Sequence, residues 1–214
     1  MLFNHITSRI PTDPLPNLLG QKGGSGFPHL VFMDETGLVV ARQRGPREVA
    51  DFRKLQEEAQ AALQLRDQAK AGDPAAQFAW LVRILELQPL PAAEVAAQVQ
   101  AIGDLTSDQK SRLDPLLVTN DFKDAMITVT QDVPTQVEAG RKLAAMADTG
   151  RIPADKRDAT NFWGTIATFA EHTKDKARFA RAFESIKTLV PKTPNSEIWY
   201  AKMEAKLKEL EGGN

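Results

Sequence analysis

Residues 26–41 read Gly26-Phe27-Pro28-His29-Leu30-Val31-Phe32-Met33-Asp34-Glu35-Thr36-Gly37-Leu38-Val39-Val40-Ala41. Two apolar runs flank the polar tetrapeptide Asp34-Glu35-Thr36-Gly37. Buried-looking segments around a turn that ends in glycine predict a β-hairpin, because glycine supplies the positive φ such a turn needs. Residues 30–33 are therefore expected to pair antiparallel with 38–41. Working outward, Gly45-Pro46 closes the second strand. Val49, Phe52, Leu55, Ala59, Ala62 and Leu63 then recur at spacings of three and four, which predicts one face of a long helix. Gly72-Asp73-Pro74 stops that helix.

Beyond Gly72 the pattern is helix after helix. Phe78, Leu81, Val82 and Leu85 mark one helix over 75–88, and Val95, Val99 and Ile102 mark another over 91–102, with Pro89 and Pro91 between them. Further helices are expected at 107–119, 134–148, 159–173, 175–190 and 196–210. The stretch 121–133 is read as an extended linker, since Ile127, Val129 and two threonines cluster in it. The spacing of Trp163, Ile166, Ala167 and Ala170, followed by Phe183, Ile186 and Pro191, resembles the tetratricopeptide pattern of interlocking antiparallel helices. The segment 72–78 looks like the start of a related repeat, but Glu94 and Gln98 stand where that pattern wants small and aromatic residues. The expected architecture is an α+β part over 1–72, a hairpin plus helix, followed by an all-α helical-pair domain over 73–214, mostly α overall.

Composition narrows the chemistry. The 214 residues carry 27 Lys+Arg against 28 Asp+Glu, a net charge of −1, so the basic footprint of a nucleic-acid or anionic-membrane binder is missing. There is no cysteine, which excludes thiol–disulfide exchange, thiolate metal ligation and a cysteine nucleophile by this chain. No apolar stretch approaches the roughly 20 residues of a membrane span, and the start MLFNHITSRI lacks the charged-then-apolar pattern of a signal peptide. As written the chain reads as cytoplasmic, or as exported if a segment precedes it.

The order Gly26, Pro28, apolar strand, Gly37, antiparallel strand, Gly45 and the helix from Val49 resembles the second half of the thioredoxin fold. The resemblance covers about the first third of the chain. It implies that Pro28 is the cis-proline that faces the redox site in thioredoxins, and that Gly26, Phe27, Pro28 and His29 form a peptide-facing loop. No Cys-x-x-Cys accompanies it. The strand that would carry that motif lies centrally in the thioredoxin sheet, between the strand that 2–7 resembles and 30–33. Either 2–6 closes against 30–33, or a partner chain inserts a strand, or the chain belongs to a longer protein.

Other candidates have plainer readings. Gly20-Gln21-Lys22-Gly23-Gly24-Ser25-Gly26 lacks the Gly-Lys-Ser/Thr at a helix start that a phosphate loop needs, so it reads as a flexible connection. His5 and His29 could hold a metal with Asp34 if their strands pair, but two histidines without a third placed ligand read as surface or hydrogen-bonded residues, and no metal is expected. His172 suits the C-terminus of a helix. Trp80, Trp163, Trp199, Phe162, Phe179 and Phe183 read as repeat core. Lys174, Lys176, Arg178 and Arg181 read as i,i+4 partners of Glu171, Asp175 and Glu184. No catalytic constellation and no cofactor motif stands out. The expected function is a non-catalytic binding or scaffolding module for another polypeptide, through strand edges or helical grooves, without nucleic acid or membrane. The alternative is the C-terminal portion of a thioredoxin-family disulfide oxidoreductase whose Cys-x-x-Cys lies upstream of Met1.

Overall fold

The computed structural model describes residues 15–130 and 132–212. In chain order the elements are α1 (Leu18–Gln21), β1 (Val31–Met33), β2 (Val39–Arg42), α2 (Val49–Lys70), α3 (Pro74–Leu87), α4 (Ala92–Ile102), α5 (Ser107–Ile127), α6 (Val133–Asp148), α7 (Lys156–Thr173), α8 (Lys176–Leu189) and α9 (Pro194–Gly212). The protein is thus mostly helical with a small β part. Two compact units divide it, Met1–Lys110 and Ser111–Asn214. The first unit runs past residue 72, where the sequence suggested a boundary, because α3 packs on both α2 and β2 and α4 packs on α3.

In the first unit β1 and β2 pair antiparallel, with Phe32 opposite Ala41 and Met33 opposite Val39. Val40 is the extra residue of a bulge between those pairs. The Phe27–Pro28 bond is cis, and Gly37 adopts φ +82° at the end of the turn. Asp34 builds that turn from within. Its Oδ1 accepts from the Thr36 amide at 2.9 Å, the Thr36 hydroxyl at 2.6 Å and the Leu38 amide at 3.0 Å. Val40 and Ala41 pack with Leu55, Ala59 and Ala62, whose spacing puts two alanines where the helix must approach the strand. The first positions of the same stripe depart from the expectation, since Val49 and Phe52 are exposed. Gly72 ends α2, and Asp73 starts α3 by accepting from the Ala75 and Ala76 amides at 2.9 and 3.3 Å.

The second unit is built by α6, α7, α8 and α9 packing in succession. Leu143, Phe162, Trp163, Ile166, Phe183 and Ile186 share one buried core, as their helical spacing predicted for the last four. Of the aromatics read as core, Trp199 is 37% exposed and Trp80 only half-buried. The reading of 121–133 as a linker is corrected. α5 continues through Ile127, and Phe122 and Ala125 are buried at helical spacing, so burial of one face outweighs the β-branched residues that follow.

Two glycines in this unit predict opposite responses. A Cβ on Gly140 of α6 would stand 2.3 Å from the Phe169 Cβ and 3.0 Å from the Thr165 carbonyl oxygen of α7, whereas one on Gly164 would meet nothing within 4 Å. Gly140→Ala is expected to cost about 1–3 kcal/mol through overpacking. Gly164→Ala is expected to gain about 0.5–1 kcal/mol, because mid-helix glycine is entropically costly. Urea denaturation of both variants checks this, and shifts of the same sign would contradict the α6–α7 packing.

Candidate functional site

The four residues of the expected peptide-facing loop lie together ahead of β1. Gly26, Phe27 and Pro28 are exposed, Phe27 by 66%, while His29 is half-buried. The glycine-rich segment leading to them is packed rather than a loose connection, which corrects the sequence reading. Gly23 has φ +72°, and a Cβ there would lie 2.0 Å from the Leu87 carbonyl oxygen and 2.3 Å from Nη2 of Arg42. Only glycine permits that approach. Lys22 Nζ donates to the Gly37 carbonyl at 2.6 Å, tying the segment to the hairpin turn.

His29 faces inward to this packing. Its Nε2 lies 3.0 Å from the Lys22 carbonyl oxygen, which can only accept, so Nε2 carries the proton. Burial pushes the imidazole below its ordinary value, the Lys22 carbonyl opposes this, and the Arg42 charge adds to the lowering. The ring is accordingly neutral at pH 7. His5 lies outside the described residues, and among the described residues no three His, Cys, Asp or Glu side chains converge on a metal position. Asp34 is committed elsewhere. Its Oδ2 accepts from Arg66 Nη1 at 3.0 Å, and its Oδ1 holds the turn.

The two edges of the hairpin are treated differently. On the outer edge of β2, the Val39 amide donates to Gln88 Oε1 at 2.9 Å, and the Val40 carbonyl accepts from Arg83 Nε and Nη2 at 3.1 and 2.8 Å. α3 thereby seals that edge with side chains. Neither Arg83 nor Gln88 was singled out from sequence, although an arginine inside the apolar run Leu81-Val82-Arg83-Ile84-Leu85 is the signal that could have found it. On β1, the Leu30 carbonyl accepts from the Gln43 amide and the Asp34 amide donates to the Leu38 carbonyl, each at 2.9 Å. Residues 30, 32 and 34 therefore face β2, and strand alternation turns the amides of Val31 and Met33 to the outer edge. Among the described residues no strand pairs with that edge. Residues 2–6, expected as a neighbour, lie outside the described residues.

β1 also corrects the expectation of a buried strand. Leu30, Phe32 and Met33 are exposed, whereas Val39, Val40 and Ala41 of β2 are buried. The layer is two strands wide among the described residues, and α2 and α3 cover β2.

Of the remaining charged candidates, Arg178 and Arg181 are engaged within the second unit. Arg178 bonds Asp175 at 3.1 Å and Asp148 at 3.2 Å, and Arg181 reaches Asp148 at 3.1 Å and the Ala147 carbonyl at 2.9 Å. Their partners are at i−3 and on α6, rather than at i,i+4. His172 sits exposed in the last turn of α7. Among the described residues no helix is long and apolar enough to cross a membrane. Compared with protein-family models, curated proteins and solved structures, the chain matches none.

Proposed function

We propose that the chain is a non-catalytic, polypeptide-binding module, thioredoxin-like in its first part and tetratricopeptide-like in its helical part, and that the first unit takes an extended segment of a partner protein along β1. The observation that carries this reading is the asymmetry of the hairpin. One edge is closed by Arg83 and Gln88, while the other presents the Val31 and Met33 amides beside exposed Phe27, Leu30 and Phe32. A partner strand would gain main-chain hydrogen bonds from the edge and apolar contact from those side chains. Phe27 contributes a large apolar area at low entropic cost, the property that makes aromatic residues interface anchors.

The test is a selection of extended peptides from a displayed library against the purified chain, read by amide exchange at Val31 and Met33. Bound peptides should slow exchange at both amides, and Phe32→Lys should weaken them by about tenfold or more. Peptides that bind without protecting these amides would overturn the reading. Strong protection of Val31 and Met33 in the free monomer would do the same, since the edge would then already be covered.

A further inference from the structure

The second unit contains a groove that the peptide-binding reading does not use. Its volume is about 470 Å³, within the 300–1,000 Å³ range of small-molecule sites. It is lined by Gly164 of α7, by Met126 and Val129 at and just beyond the end of α5, and by Ile186, Val190 and Trp199 from α8 to α9. The missing side chain of Gly164 keeps the space open, since a Cβ there would meet nothing within 4 Å.

The lining is electrically neutral. A quarter of the chain is charged, 26%, yet among the described residues no Asp, Glu, Lys, Arg or His side chain lines this groove. An ion entering it would lose hydration and find no counter-charge. The hydroxyl protons along the wall are also spent. Thr160 donates to the Lys156 carbonyl at 2.8 Å, Thr165 to that of Asn161 at 2.9 Å, Thr168 to that of Gly164 at 3.2 Å and Ser196 to that of Pro191 at 2.9 Å. Gln136 Nε2 is likewise bonded to the Thr130 carbonyl. Among the described lining residues the side-chain donors left are the second Nε2 hydrogen of Gln136, the Asn161 carboxamide and the Trp199 indole N–H. A polypeptide laid in the groove would bury a carbonyl for every residue against these three side chains.

We infer that this groove is a binding site for an uncharged, mainly apolar small molecule that carries a hydrogen-bond acceptor. The apolar body fills the space over Gly164 against Met126, Ile186 and Trp199. The acceptor is met by Asn161 or by the indole of Trp199, which also presents its ring as a wall.

The experiment titrates the full chain with prodan, a neutral naphthyl ketone, and with anilinonaphthalenesulfonate, an apolar anion, following amide shifts and probe fluorescence. Prodan is expected to shift the Gly164 and Thr165 amides and the Trp199 indole, and to bind there about tenfold more tightly than the anion. Gly164→Leu puts a bulky side chain into the groove and should lower prodan affinity by about tenfold or more. Asn161→Leu, at an exposed position, should weaken it severalfold without that filling. Unchanged prodan affinity in both variants, or equal binding of the anion with the same shifts, would overturn the inference. So would a self-association across dilution that Gly164→Leu abolishes, which would assign the groove to a second copy. A neutral apolar peptide that outcompetes prodan at the same amides would assign it to a polypeptide instead.

Discussion

Trp163→Ala is expected to lower the stability of the second unit by about 3–5 kcal/mol, the cost of deleting a large aromatic side chain from a packed core. Trp163 lies edge-on to Phe162 with ring centroids 5.4 Å apart, and the Arg181 guanidinium stands 5.5 Å from the centre of its indole. Truncation therefore removes apolar burial, an aromatic pair and a cation–π contact together. The arginine is itself tied to Asp148 and to the Ala147 carbonyl at the end of α6, so the indole links three helices. Trp199→Ala is the matched comparison. That side chain is 37% exposed, so its loss should cost far less. Urea unfolding followed by helicity separates the two, and equal midpoints for Trp163→Ala and the parent would refute the core described here.

The contrast between these tryptophans shows what local sequence conveys. Trp163, Ile166, Phe183 and Ile186 sit on apolar helical faces whose period is visible without any structure, and all four are buried. Trp199 stands on an equally plausible face of α9, but it borders the groove that Gly164 of α7 also lines and stays 37% exposed. The hairpin was legible for a similar reason, since alternation and turn chemistry act over a few residues. Which strand is buried was not. Residues 30–33 and 38–41 are equally apolar, and α3, some forty residues further on, covers β2 through Arg83 and Gln88 and leaves β1 outside. The glycine-rich segment was misread on the same grounds. Its composition suits a tether, while its fit against the Leu87 carbonyl is a property of the end of α3. Short-range signals thus pointed to the stretch Gly26, Phe27, Pro28 and His29, and long-range packing leaves the strand edge that follows it exposed.

Asp34→Ala is expected to destabilise the first unit by about 2–4 kcal/mol at neutral pH, and the part of that effect owed to charge should vanish in acid. The carboxylate is 2% exposed and holds both ends of a chain of contacts. One oxygen organises the Thr36–Leu38 turn, and the other receives Arg66 of α2 at 3.0 Å, so the hairpin tip is fastened to the helix that packs on β2. Burial alone would raise the Asp34 carboxyl, but the hydrogen bonds from Thr36, the Leu38 amide and Arg66 together outweigh it and hold the group below its ordinary value. A carboxyl depressed in the folded state binds its proton less readily there than in the unfolded chain. Its contribution is therefore complete above the unfolded value, about 3.9, and is lost as the pH falls through the lower folded one. Asp34→Asn isolates this term, because the amide keeps an acceptor for the turn but presents no charge to Arg66. The parent should exceed Asp34→Asn in stability by a constant margin from neutral pH down to about pH 5, and the margin should shrink below about pH 4. Urea midpoints across that range read it directly. A margin that persists undiminished at about pH 2 would place the stabilisation in the shape of the turn, and would remove the Asp34–Arg66 charge pair from the forces that hold the hairpin on α2.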